Sequence, residues 1–315
     1  MNGTKLFLEQ MEIVDLSIII VSYNTKELLL KCIESVKKYT KDITYEIIVI
    51  DNNSTDGTVE ALRKLKVTGY RLQVITNKDN KGFGAANNQG MKKAKGRYIL
   101  LLNSDTKLIE NSLLSMVMWM DEHPKVGIAS CKLVNADGTL QPTGGFSPTL
   151  PRVFLWATLI DDVPFVGDFF GSYHPHRSFY TKSSSAYSKE RPLDWVTGAF
   201  FLIRREVVRE IGLFDESFFL YVEEVEYCMR TKAKGWEVWY VPKTKIIHFG
   251  GASGTREGTV LREFEGLKLL YKKHYSKMAF AFLRLLLFIG SVLRMFIFGI
   301  ITPRSRIYVH ALGRI

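Results

Sequence analysis

Between residues 16 and 102 the chain alternates β-rich apolar runs with segments of helical period, and this alternation constrains the fold more than any other feature. A parallel sheet is the simplest structure that uses it, because each crossover helix returns the chain to begin the next strand in the same direction. The spacing predicts strands at Leu16–Ser22, Tyr45–Asp51, Leu72–Thr76 and Tyr98–Leu102, with helices near Thr25–Tyr39, Gly57–Leu65 and Phe83–Ala94. Ser54, Thr55 and Asp56 are candidate caps for the second helix. Ligands of such sheets gather at the carboxyl ends of the strands. The polar residues that follow each strand are therefore the first to inspect.

Further on, the pattern predicts a helix near Asn111–Glu122, a strand over Val126–Val134 and a turn at Asp137-Gly138. The stretch Gln141–Pro192 mixes Pro, Gly, Ser, His and aromatics without a sustained period. It is expected to be an acceptor-side or membrane-side lid, or a disordered segment. Regular structure resumes with a strand at Trp195–Ile203, a helix at Glu223–Lys234, strands at Glu237–Val241 and Lys245–Phe249, and a helix from Thr259 to about His274. The expected class is α/β, with a mostly parallel sheet flanked by helices.

With 315 residues, 46% hydrophobic and 24% charged, the chain can bury one large core or two moderate ones, which excludes disordered, collagen-like and multi-pass membrane classes. Cys32, Cys131 and Cys228 are odd in number and far apart, so neither a zinc ribbon nor a redox dithiol is expected, and a reduced cytosolic setting fits. Glu9, Glu12 and Asp15 give the first residues none of the character of a secretion signal.

The formal net charge is +11, and residues 266–315 contribute nine basic side chains and no acidic one. These flank an apolar run, Ala279–Ile301, that holds fifteen Leu, Ile, Val and Phe residues and is interrupted by Arg284 and Arg294. On an insertion scale the fifteen contribute about −4.5 to −9 kcal/mol against about +5 to +7 for two central arginines, so hydropathy is near balance. Lys272, Lys273 and Lys277 precede the run, and Arg304, Arg306 and Arg314 follow it. Basic ends prefer one cytoplasmic side, which predicts an amphipathic, interfacial or hairpin-like helix bound to anionic inner-leaflet lipid. A buried helix or homo-oligomer seam is the competing role of the same run. Nucleic acid is not an expected partner.

Three strand ends carry related chemistry: Tyr23 and Asn24, then Asp51-Asn52-Asn53, then Asn103-Ser104-Asp105. An aromatic to stack on a base, a carboxylate to accept from base or ribose, and a carboxylate to hold a metal suit a nucleotide diphosphate. Taken singly, each is an ordinary turn or cap residue.

The run Ser17–Asn24, the segment Val49-Ile50-Asp51-Asn52-Asn53-Ser54-Thr55-Asp56-Gly57, and Asn80, Gly82, Phe83, Ala86, Asn88, Gly90, Ala94 and Gly96 ahead of Asn103-Ser104-Asp105 resemble glycosyltransferase family two. Asp194-Trp195-Val196-Thr197-Gly198-Ala199, Gly212-Leu213-Phe214-Asp215, Glu223-Glu224-Val225-Glu226, Arg230, Gly235-Trp236, Pro242 and His248 follow the order of its bacterial rhamnosyltransferase-like members. The resemblance covers about residues 16–251. It implies a GT-A fold with a nucleotide-binding half near 16–130 and an acceptor-binding half near 131–258, ahead of a helical membrane-association region at 259–315. It also implies inverting transfer from a nucleotide diphosphate sugar.

Carried over by position, Tyr23 and Asp51 would serve base and ribose, with Asn24, Asn53, Gly82, Asn103, Ser104, Gly198 and Ala199 completing the donor site. Asp105 and His248 would hold a divalent metal, Mn or Mg, although Asn103 stands where the family often has a first carboxylate. Glu224 would be the general base, with Glu223 the alternative and Glu replacing the more usual Asp. On helical geometry Glu223 and Glu226 share a side that Glu224 leaves. Asp194, Trp195 and Glu226 would face the acceptor. Arg230 would reach the diphosphate or pair with Glu226. His174 and His176 are expected at the surface or against the acceptor.

The activity implied is transfer of a sugar, rhamnose from its dTDP form foremost, to a hydroxyl of a lipid-linked saccharide or polysaccharide at the cytoplasmic face of a bacterial inner membrane. The rival functions are transfer to polyprenyl phosphate, which needs no base, and a non-catalytic nucleotide-sugar-binding membrane scaffold. A dinucleotide oxidoreductase is disfavoured, because the first strand leads into Ser22-Tyr23-Asn24-Thr25 and not a Gly-x-Gly-x-x-Gly turn.

Overall fold

The computed structural model describes residues 14–66, 71–163, 166–174, 187–250, 256–299 and 303–315. The first four strands, β1 (Leu16–Ser22), β2 (Tyr45–Asp51), β3 (Leu72–Thr76) and β4 (Tyr98–Leu102), have the expected bounds and stand parallel in the order β3-β2-β1-β4. Between them run α1 (Lys26–Tyr39), α2 (Thr58–Lys66) and α3 (Phe83–Lys93). Asp56 accepts from the backbone N–H of Thr58 at 3.1 Å and of Lys26 at 2.9 Å, so one carboxylate caps two helix starts.

The chain continues through β5 (Thr106–Leu108), α4 (Ser112–Glu122), β6 (Val126–Val134), β7 (Leu140–Gln141) and β8 (Gly144–Gly145). Then come α5 (Leu150–Ala157), a 3-10 turn at Ile160–Asp162, α6 (Val166–Phe170), β9 (Arg191–Pro192), β10 (Trp195–Val196), β11 (Phe200–Arg204) and α7 (Arg205–Ile211). The last elements are α8 (Glu223–Ala233), β12 (Glu237–His248), α9 (Arg256–His274), α10 (Lys277–Ile297) and α11 (Pro303–Leu312). Beyond β4 the sheet runs β11-β6-β12-β5, with β11 antiparallel to β4 and to β6.

Strand residues alternate between two cores, as the period of two requires. Ile19, Ile48, Ile50, Ile99 and Leu101 face a core shared with α3, α5, α8, α9 and α10. Leu16, Ile18, Ile20, Val49, Leu100 and Leu102 face the other, under α1 and α4. Burial on both sides explains why these strands read as continuous apolar runs.

Four expectations are corrected. The strand foreseen at Trp195–Ile203 is two strands separated by a turn at Thr197–Ala199. The two foreseen at Glu237–Val241 and Lys245–Phe249 are one, whose pairing with β6 shifts register between Val241 and Lys245, around Pro242, which has no N–H to donate. The Gln141–Pro192 stretch is not disordered where it is described: Val153, Trp156 and Tyr173 are buried in the main core. Its helices are only one or two turns long, too short for a period to show. The region from 259 onward does not stand apart either, because Phe264, Leu267, Leu270, Tyr271, Leu283 and Leu287 belong to that same core.

Candidate active site

The order β3-β2-β1-β4 reverses direction of growth between β1 and β4, and a crevice opens where their carboxyl ends diverge. A cavity of about 280 Å³ occupies this position. Tyr23 enters it from the end of β1, Asn103, Ser104 and Asp105 from the turn after β4, Gly198 and Ala199 from the turn before β11, His248 from the end of β12, and Glu223 and Glu224 from the start of α8. Gly82, ahead of α3, also lines it.

The turn after β4 is held from below. Ser22, Thr25 and Ser104 form a hydroxyl chain with steps of 3.0 and 2.9 Å, and the Asn103 N–H donates to the Ala199 carbonyl at 3.1 Å. Asp105 Oδ1 lies 3.2 Å from His248 Nε2. The Gln141 amide donates to the His248 carbonyl, which turns its Oε1 toward His248 Nδ1 at 2.8 Å. An acceptor at Nδ1 requires the proton there. Nε2 then faces the Asp105 carboxylate, and a cation could sit between the two. Oxygen and imidazole donors suit Mn or Mg, so the residues fit such an ion, although no group of three or more metal-ligating side chains occurs among the described residues.

The acidic pair is set by strain. Tyr221 and Val222 have φ of 70° and 71°, values that a β-branched residue avoids, and α8 begins at the next residue. Gly266 of α9 is packed so closely on Val222 that an added Cβ would stand 2.6 Å from it. Glu223 and Glu224, the first residues of the helix, both line the cavity, whereas Glu226 does not. Glu223 and Glu226 share the buried side of the helix, as the helical wheel predicts, and Glu224 is the less buried of the pair at the cavity.

Oε2 of Glu223 and Oε2 of Glu224 are both sealed from solvent without a hydrogen-bond partner. Burial pushes the Glu223 carboxyl well above its usual range, and charge on Glu224 adds to this. Glu224 is pushed up to about 7, by burial first, with backbone hydrogen bonds opposing and the charge of Glu263 adding to the rise. Glu263, on α9, accepts from Tyr173 Oη at 2.5 Å and contacts His174 Nε2 at 2.9 Å. Burial works against its ionisation, but His174 and Tyr173 outweigh burial and hold it below the ordinary value.

The sequence model described as "Glycosyl transferase family 2" matches residues 17–212. The chain belongs to this family. It is 29% identical over 244 residues to the O-antigen biosynthesis protein RfbC of Myxococcus xanthus, an alignment covering 75% of this chain and 17% of that protein. It is 25% identical over 225 residues to the N-acetylglucosaminyl-diphospho-decaprenol L-rhamnosyltransferase of Mycobacterium tuberculosis, covering 67% of this chain and 68% of the relative. Among solved structures, GalNAc-T7 with UDP, GalNAc and Mn2+ superposes with a TM-score of 0.63 at 16% identity, over 96% of this chain and 55% of that one. The family two transferase thus has the GT-A fold.

Six residues expected in the site do not line the cavity. Asn24 Oδ1 accepts from the Thr55 N–H at 2.8 Å and ties together the loops after β1 and β2. Asn53, with φ of 72°, shapes the second of those loops. Asp51 lies at the end of β2, buried, with Oδ1 unpartnered. Asp194 is held by Lys232, by Arg152 at 3.5 Å and by the Ser147 N–H. Trp195 is buried against Tyr173 and His174. Glu226 is buried and paired with Arg230 at 2.8 Å and His274 at 3.2 Å. Arg230 also donates to the Ile211 and Leu213 carbonyls, which corrects the expectation that it could reach a diphosphate. His176 and Gly251 lie outside the described residues.

Several lining residues of the transferase were given no role in the site from the sequence. Phe83 fills the space beside Gly198, where an added Cβ would stand 2.9 Å from its ring. Asn52 donates to Asn80 Oδ1 at 2.9 Å and accepts from Asn77 and Lys81, a network that Asn77 and Asn80, just ahead of Gly82, could have signalled. Phe219, Tyr221 and Thr259 also face the cavity. Nothing local in the sequence marks them, because their position depends on α9 packing over the strained turn.

Proposed function

We propose that the chain transfers a sugar from a nucleotide diphosphate donor to a hydroxyl of a lipid-linked or polysaccharide acceptor in cell-surface polysaccharide synthesis, inverting the anomeric centre. The observation that carries this reading is the joint presence of Tyr23, Asp105, His248 and Glu224 on one cavity, although they are spread over most of the chain. Tyr23 offers a ring face to the base. Asp105 and His248 would hold the divalent ion, which when bound offsets the charge that develops on the departing nucleotide diphosphate.

Glu224 takes the proton of the acceptor hydroxyl as it attacks. A base with a pKa near 7 is matched to this task, whereas burial and the charge of Glu224 push Glu223 well above the usual carboxylate range. The likeness to the Mycobacterium tuberculosis relative supports a saccharide diphospho-lipid acceptor, and supports rhamnose as the first sugar to test. Such an acceptor and the basic C-terminal region favour the cytoplasmic face of a bacterial inner membrane, with anionic lipid as partner.

The test is nucleotide release from dTDP-rhamnose, UDP-glucose and UDP-N-acetylglucosamine, with lipid-linked acceptors and Mn²⁺ or Mg²⁺. Acceptor-dependent release from one donor is expected. Donor binding with no release under any combination would instead mark a scaffold.

A further inference from the structure

Lys277–Ile297 is long and apolar enough to cross a membrane by length and composition. Its packing, however, leaves only one side for lipid. Leu283, Leu287, Gly290, Ser291 and Arg294 are buried, at the spacing of one helical face. Gly290 meets α5 so closely that an added Cβ would stand 2.6 Å from the Ala157 Cβ. Arg294, the charge that would be most costly in a bilayer, turns inward to the Trp156 carbonyl at 2.5 Å and the Tyr308 hydroxyl at 3.3 Å. A bilayer therefore cannot surround α10 while it holds these contacts.

The opposite face is apolar and bare. Met278, Phe282, Leu285, Ile289 and Phe296 recur at helical spacing, with Met278 71% and Phe296 67% exposed. Across α5, which packs on α10, the 3-10 turn leads to α6 and a second bare apolar feature. Here Phe169 is 83% exposed and Phe170 56%, with their rings edge to face at 4.9 Å. Exposed apolar surface on this scale marks a docking site. Lys272 and Lys277 are exposed beside the stripe, and residues 266–315 contain no acidic side chain. A second copy of the chain would meet this face across a two-fold axis and bring like charges together. An anionic bilayer offers acyl chains to the stripe and phosphates to the lysines.

We propose that the outer face of α10, together with the Phe169–Phe170 pair of α6, seats the protein on an anionic bilayer surface with α10 parallel to the membrane plane. This seat rests for its purpose on the reading of a lipid-linked acceptor, since α9 both lines the cavity through Thr259 and leads directly into α10. An acceptor anchored in the leaflet would reach the cavity from that side.

The test is flotation of the full chain with vesicles of phosphatidylcholine alone and of an equal mixture with phosphatidylglycerol. Binding is expected to the mixed vesicles, and to weaken between about 0.1 M and about 1 M salt, as the Debye length falls from about 10 to about 3 Å. Phe169→Asp/Phe170→Asp and Phe282→Asp/Phe296→Asp are each expected to lower the bound-to-free ratio by about tenfold or more. Lys272→Glu/Lys277→Glu, which leaves the apolar stripe intact, is expected to remove the preference for phosphatidylglycerol. Alkaline carbonate is expected to release the bound chain.

No binding of the unaltered chain, equal binding of both phenylalanine variants, or resistance to carbonate would each overturn the seat. So would a dimer in solution that Phe282→Asp/Phe296→Asp converts to monomer. Vesicle binding by a preparation that turns over no donor would support the seat and count against the transferase reading alone.

Discussion

Glu224 shows how one residue acquires chemistry from its surroundings. A glutamate in water would be fully ionised at neutral pH and a weak base, but burial and the nearby Glu263 bring it to about 7. Because the ionised form accepts the proton, kcat/KM should rise as pH increases through about 7 and level off above it. A pH profile that is flat from 5.5 to 8.5, on the order of the range over which such a group titrates, would contradict the assignment. Glu224→Gln is expected to lose about a hundredfold or more in kcat while donor affinity, measured by titration calorimetry, is kept. Near-normal turnover of that variant would point to an acceptor that is already ionised, as polyprenyl phosphate is. Asp105→Ala should abolish metal-stimulated nucleotide release, and full activity in chelator would remove the metal role. The places of both carboxylates at element ends were legible from the periodicity, whereas their roles are what the family resemblance implies. Glu263 was not, since its importance comes only from α9 crossing the cavity.

At the scale of elements, close approaches hold the site in shape. Gly82 has φ of 83°, and an added Cβ would stand 2.2 Å from the Phe219 carbonyl oxygen. Gly82→Ala is therefore expected to cost about 2 kcal/mol or more in urea unfolding, and to displace the Phe219–Tyr221 turn that lines the cavity. The four parallel strands and their helices could be read with nearly correct bounds, because burial on both faces writes long apolar runs into the strands and 3.6-residue periods into the helices. The segment between β8 and β9 could not. Its helices present few residues each, and what orders them is contact with α9 and α10, far along the chain.

At the scale of the whole molecule, the C-terminal helices are part of the body. Leu283, Leu287 and Ala311 lie in the same core as Ile19 and Ile99. Burying the two leucines contributes about 2 kcal/mol each, so removing residues 276–315 should lower Tm by roughly 10 °C, measured by calorimetry. An unchanged Tm would show that the tail is an appendage.

The sequence alone determined the α/β class, the strand ends that carry Tyr23, Asp51 and Asp105, and the family, because these depend on local period and on residue order. Only the tertiary structure decided which acids meet the cavity, that Glu226 and Arg230 are bound to each other instead, and that Arg294 turns inward. Those outcomes depend on which side of one element packs against another, and long-range packing leaves no local periodic trace in the chain.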